Sequence, residues 1–156
     1  MGLGKCRQRT NIPRPRSNLT RLAEQLTKEN KPEKAIAILD LAMEKMPLEY
    51  FGYYSLLTPI VATYYQAEAN EKAGALAEKI ADKYRDKLNY YNSIGDANQR
   101  AYAEIILTDM ERYRTVVDAT VAAEHVAVAK TLIQGFIESS RLSLIHISEP
   151  TRHRSI

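Results

Sequence analysis

The chain has 156 residues, 45% hydrophobic and 26% charged, with six Gly and six Pro, which suffices for one domain with a core and not for two large ones. Trp is absent and Cys6 is the only cysteine, so neither a disulfide framework nor a cysteine zinc site can form within the chain. The net charge of +3 is uneven: residues 1–21 carry Lys5, Arg7, Arg9, Arg14, Arg16 and Arg21 with no acid, residues 141–156 are +2, and residues 22–140 are left at −5.

Residues 1–17 form a basic arm. Pro13 and Pro15 favour extended backbone there, and no apolar stretch follows the charges, so the arm is not a secretory signal. Cys6 stands where an acylation pattern beginning at Gly2 requires Ser or Thr. Ser17 or Asn18 can cap a first helix whose face is Leu19, Leu22, Ala23 and Leu26. Pro32 opens a second, with Ala35, Ile36, Ile38, Leu39, Ala42 and Met43 inward and Pro47 beyond its end. The short link makes these two an antiparallel hairpin.

A second pair follows, over 53–69 with Leu56, Leu57, Ile60, Val61, Tyr64 and Tyr65, and over 71–91 with Ala73, Leu76, Ala77, Ile80 and Tyr84. Pro59 falls inside the third helix, and the spacing favours a kink there over a start at Thr58. Gly95 marks a turn over 92–96. Two more helices, 97–117 and 120–140, carry Ile105, Ile106, Val116, Val126, Leu132 and Ile133 as inner candidates, with Asp118 as a cap unless one long helix runs through it. Strand-like alternation is missing, so the fold class is all-α, with five or six helices in antiparallel hairpins.

The intervals among Leu19, Leu22, Ala23, Leu26, Ala35, Leu39, Ala42 and Pro47 match the tetratricopeptide pattern, with small residues where paired helices approach. The tract Asn70-Glu71-Lys72-Ala73 echoes Pro32-Glu33-Lys34-Ala35, so Tyr64, Ala73 and Ala77 repeat the packing of the first pair. The module is thus residues 18–140, an α-solenoid of two repeats plus a helical cap.

Beyond that repeat, residues 9–117 resemble the soluble C-terminal region of a bacterial polytopic membrane family of unknown function, described as protein O-mannosyltransferase-like or glycosyltransferase-like. The resemblance rests on Arg9-Thr10-Asn11, Asn18-Leu19-Thr20-Arg21-Leu22-Ala23, Lys34-Ala35-Ile36, Met43-Glu44-Lys45-Met46-Pro47, Phe51-Gly52-Tyr53-Tyr54, Tyr64-Tyr65 and Glu71-Lys72-Ala73. It implies a helical-repeat tail of a lipid-linked sugar transferase in the bacterial inner membrane, tethered through an N-terminal part, with the module itself in a soluble compartment. No catalytic residue carries over. Residues 142–152, Leu-Ser-Leu-Ile-His-Ile-Ser-Glu-Pro-Thr-Arg, resemble the in-frame translation of a transposase-based sequencing-library adapter. On that reading, residues 142–156 are a non-native tail and fold reasoning stops at Arg141.

Outside that tail His125 is the one histidine, and Glu124-His125 lacks the second histidine of a helical zinc site. No glycine-rich phosphate loop, nucleophile elbow or Cys/His pair occurs. Asp82/Asp86 and Glu104/Asp109 are placed on solvated faces. We expect no catalytic residue, cofactor or metal. Ten tyrosines stand out; most serve as core wedges, and Tyr53, Tyr54, Tyr65, Tyr90 and Tyr91 are the candidates for a groove that holds a peptide or a sugar face. The expected partner is a protein or peptide, not nucleic acid, since the arm lacks interleaved aromatics. The expected function is a non-catalytic interaction or scaffolding module. The alternative is a free-standing adaptor whose basic arm binds an acidic partner.

Overall fold

A computed structural model describes residues 14–51 and 56–147, and among these every regular element is a helix. They are α1 (Arg14–Lys28), α2 (Pro32–Lys45), α3 (Leu48–Phe51), α4 (Thr58–Gln66), α5 (Asn70–Ser93), α6 (Asp96–Ala101), α7 (Ala103–Ala122) and α8 (Val126–Ile147). Residues 1–13, Tyr53, Tyr54 and residues 148–156 lie outside the described set. No helix among the described residues is long and apolar enough to cross a membrane.

Three pairs of helices, α1–α2, α4–α5 and α7–α8, are closed by the same turn. In each, one residue takes the left-handed conformation: Asn30 (φ 55°), Glu68 (φ 61°) and Glu124 (φ 56°). Its N–H bonds the carbonyl three residues back, and the next N–H reaches the carbonyl five back: Asn30 to Thr27 and Lys31 to Leu26, Glu68 to Tyr65 and Ala69 to Tyr64, Glu124 to Val121 and His125 to Thr120. This is a Schellman ending, which satisfies the last carbonyls of one helix and reverses the chain into the next. Five residues after each left-handed residue stands a buried alanine, Ala35, Ala73 or Ala129, and seven before it stands Ala23, Val61 or Val117, also buried. The methyl group of each alanine lets the paired helices close up.

The pairs are joined side by side, because α4 packs against both α1 and α7 while α5 packs against both α7 and α8. The core runs through Leu39, Leu57, Ile60, Val61, Ala77, Ile80, Tyr84, Leu88, Ile106, Tyr113 and Val116. Two glycines set how closely α5 meets the last pair. A Cβ on Gly74 would come within 3.1 Å of His125 and 3.2 Å of Val128, and one on Gly135 within 2.8 Å of the Tyr113 hydroxyl and 3.1 Å of Arg85.

Several expectations need correction. Leu22 is 46% exposed, and α1 turns Arg16, Thr20, Ala23 and Thr27 toward its neighbours instead. The short side chains of Thr20, Ala23 and Thr27 admit the buried face of α2, while Leu22 sits about 100° around the helix from Ala23. Arg16 is fully buried and donates from Nη2 to the Met46 carbonyl, and α1 already includes Arg14 and Pro15, ahead of Ser17. Pro59 does not kink a long helix. It lies in the first turn of α4, where its missing N–H has no partner to lose, and the chain before it forms the separate short α3. Asp118 caps nothing: α7 runs on to Ala122, and the break comes at Glu124. Ile105, Val126 and Ile133 are 48%, 59% and 39% exposed, whereas Ile106, Val116 and Leu132 are buried as expected.

Candidate interaction groove

The first helices of the three pairs, α1, α4 and α7, lie side by side, and between α4 and α7 their side chains leave a groove. Two adjoining hollows of about 550 and 330 Å³ share Ala62, Ala119 and Ala122. Thr58, Pro59, Arg112, Thr115 and Asp118 line the larger; Tyr65, Gln66 and Ala123 line the smaller. The groove exists because α7 presents Thr115, Ala119 and Ala122 at i, i+4 and i+7, so the two helices touch through small residues with empty space above them. From Arg112 to Ala123 its length is about 16 Å, room for about five residues of extended chain.

One end is fixed by Tyr65, which is 8% exposed. Its ring stands edge-on to His125 at 5.8 Å, and its hydroxyl lies 3.3 Å from His125 Nδ1. Burial raises the Tyr65 phenol above its ordinary pKa, partly countered by a hydrogen bond with Thr120. The other end carries charge. Arg112 Nη1 is 3.5 Å from Asp109 Oδ1, and the other oxygen of that carboxylate accepts from Lys87 Nζ at 3.3 Å. Asp109 is 1% exposed, which corrects its placement on a solvated face: it points at α5, and its two cations make that burial tolerable. Lys87 also lies 5.8 Å over the Tyr84 ring, and Tyr84 stacks on Tyr113 at 6.3 Å. Arg112 is therefore held at the groove edge by a group anchored in the core. Glu104, Asp82 and Asp86 are exposed, as expected of solvated helix faces.

Of the five tyrosines proposed for one groove three are described, and Tyr65 does not meet Tyr90 and Tyr91. Tyr65 lies at the Gly74 end of α5, through their shared neighbour His125. Tyr90 and Tyr91 lie about 24 Å further along that helix. There Tyr90 is 63% exposed, and half-buried Tyr91 packs on Tyr90 at 5.8 Å and on Tyr102 at 6.2 Å. Tyr53 and Tyr54 fall outside the described residues. Of the packing candidates, Ala35, Leu39, Ala42, Ala73 and Ala77 are fully buried, and Tyr64 is 3% exposed with its hydroxyl donating to Asp40 at 2.8 Å.

Ala62, Ala119 and Ala122 were missed in the sequence reading because small residues carry no chemistry of their own. Their signal is the third repeat: once Glu124 is aligned with Asn30 and Glu68, Ala119 and Ala122 fall on the last turn of a first helix. The groove offers apolar walls, hydroxyls at Thr58 and Thr115, an amide at Gln66 and one charge of each sign, a surface suited to holding a chain segment. Among the described residues no cluster of three or more His, Cys, Asp or Glu side chains could hold a metal ion. No family model, curated protein or solved structure matches this chain.

Proposed function

We propose that residues 18–140 are a non-catalytic tetratricopeptide-like interaction module, and that the α4–α7 groove holds an extended peptide segment of its partner. One observation supports this reading: the same turn closes three helix pairs, each followed by a buried alanine at the same distance, as expected of a helical repeat. Grooves along a row of helices suit peptides, because a rigid surface adds little ordering cost on its own side.

The resemblance of residues 9–117 to the tail of a glycosyltransferase-like membrane family supports a scaffolding role beside such an enzyme. Residues 142–152 remain, on this proposal, adapter-derived sequence, and the partner surface is built without them.

The test is selection of displayed peptides of about 12 residues on the intact chain, followed by fluorescence titration of those selected. Ala119→Gln, which fills the groove, should weaken binding at least about tenfold, while Tyr90→Ala leaves it unchanged. Affinity should change little between about 50 and 300 mM salt. Peptides indifferent to Ala119→Gln, or binding that collapses with salt, would transfer the function to the basic arm.

A further inference from the structure

The last helix pair has a second face that the groove does not use. On α7, Leu107, Met110, Val117 and Val121 repeat at three- and four-residue spacing with Arg114 among them. On α8, Val126, Ile133 and Ile137 do the same with Lys130. Leu107, Val121, Val126, Ile133 and Ile137 are between 39% and 59% exposed. The α8 row points away from the rest of the fold, while the α7 row runs along the border of the core, with Met110 and Val117 buried in it and Leu107 and Val121 exposed beside Arg114. The middle of the α7 row is at least a third of a turn from Arg112, Thr115 and Ala119, which face α4, and that of the α8 row is as far from Val128, Gly135 and Ser139, which face Gly74, Arg85 and Asn92 of α5.

Repetition shows what such positions do. Ile133 lies nine residues after its left-handed turn residue, and the residues at that place in the preceding pairs, Leu39 and Ala77, are fully buried. Ile137 corresponds to Ala81, which is 1% exposed. The third pair carries larger apolar groups than the second at these places, with no helix over them among the described residues.

We propose that this face is a self-association surface on which a second copy of the chain packs, α7 of each copy lying along α8 of the other. Charge selects that arrangement. Glu104, Glu111 and Asp118 form a row at seven-residue intervals beside the apolar row of α7, with Arg114 bonded to Glu111 at 3.1 Å and near Asp118 at 3.8 Å. Packing α7 on α7 would set one acidic row against the other; packing α7 on α8 brings it to Lys130.

Symmetry then fixes the register. A two-fold axis parallel to the helices leaves every residue at its own level along them. Within one copy Tyr113 lies level with the Leu132–Phe136 turn, touching the Phe136 ring at 5.3 Å and donating to the Leu132 carbonyl at 3.2 Å. Counting outward along antiparallel helices puts Asp118 of one copy level with Lys130 of the other, and Val121 level with Val126. Val121 thus meets Val126 of the other copy, and the exposed lysine meets an acid. The five exposed side chains offer about 400 Å² of apolar surface per copy, so with a polar rim the contact is of the size of a weak, concentration-dependent dimer.

Sedimentation velocity of the 156-residue chain, from about 1 to 200 µM, tests this directly, with a dissociation constant on the order of 10 µM expected. Val121→Glu with Ile133→Glu should leave a monomer throughout, with an unchanged circular-dichroism spectrum because both sites are on the surface. Lys130→Glu should weaken the dimer several-fold, and adding Asp118→Lys in the same chain should restore it. A chain that stays monomeric at every concentration, as it would if the face serves a different protein, overturns the proposal. So does a dimer that ignores Val121→Glu with Ile133→Glu, or a charge reversal that the second reversal does not rescue.

Discussion

The α1–α2 hairpin and the α5–α7–α8 block are built by the same turn but held together by different material. Along its inward row α1 offers Arg16, Thr20, Ala23 and Thr27, so a close approach is achieved with little apolar volume, and a buried guanidinium must find its acceptor on the far side at Met46. The block instead interlocks Tyr84, Leu88, Ile106, Tyr113, Val116 and Phe136, with Tyr113 stacked on Tyr84 and edge-on to Phe136. Small residues give geometry and large ones give stability, because burial energy scales with the apolar area removed from water. The groove and the proposed self-association face both use helices of the block, where rigidity serves recognition.

The largest break in that contrast is Tyr113→Ala. It removes a fully buried ring and its bond to the Leu132 carbonyl, and a urea titration should show a loss of about 3–5 kcal/mol. Leu22→Ala, on the exposed side of α1, should change the same titration by less than about 0.5 kcal/mol. Between these, Ala73→Leu and Ala129→Leu should each cost about 1–3 kcal/mol by overpacking, and similar values for both would establish α7–α8 as equivalent to α4–α5.

Much of this was legible in the sequence. Pro32, Ala35, Leu39, Ala42, Ala73 and Ala77 announced two hairpins, since proline at a helix start and alanine at a helix crossing are constraints of the backbone itself. In the third pair two helices were expected, but the break was placed at Asp118 and not at Glu124. Asn30 is of a type that enters the left-handed region readily, whereas Glu68 and Glu124 are not, and Asp118 offered a conventional cap a short distance upstream. Pro59 misled in the opposite way, because sequence alone does not say whether a proline starts a helix or bends one. The groove was illegible beyond Tyr65, since alanines define it by what they leave empty.

The unfavourable turn residue has its own consequence. Glu124→Gly should stabilise the fold by about 0.5–1 kcal/mol in thermal unfolding, less than the backbone strain relieved because glycine also loosens the unfolded chain. Alkaline pH acts on the buried tyrosines. Burial raises the phenols of Tyr64, Tyr65, Tyr91 and Tyr113, and the bond to Asp40 adds to the effect at Tyr64. The folded state therefore favours the neutral phenol, so this contribution is constant below the unfolded tyrosine pKa of about 10 and falls away as the pH rises above it. Tyr64→Phe should make that alkaline loss shallower.

Native-state hydrogen exchange reads the difference between the two regions residue by residue. Amides in the middle of α5 and α7 should exchange only through global unfolding, while those of α1 and α2 should exchange through a smaller opening that leaves the block folded, with protection lower by at least about tenfold. Equal protection in α1, α5 and α7, all matching global stability, would contradict the account by showing that the small-residue hairpin is as firmly held as the aromatic block.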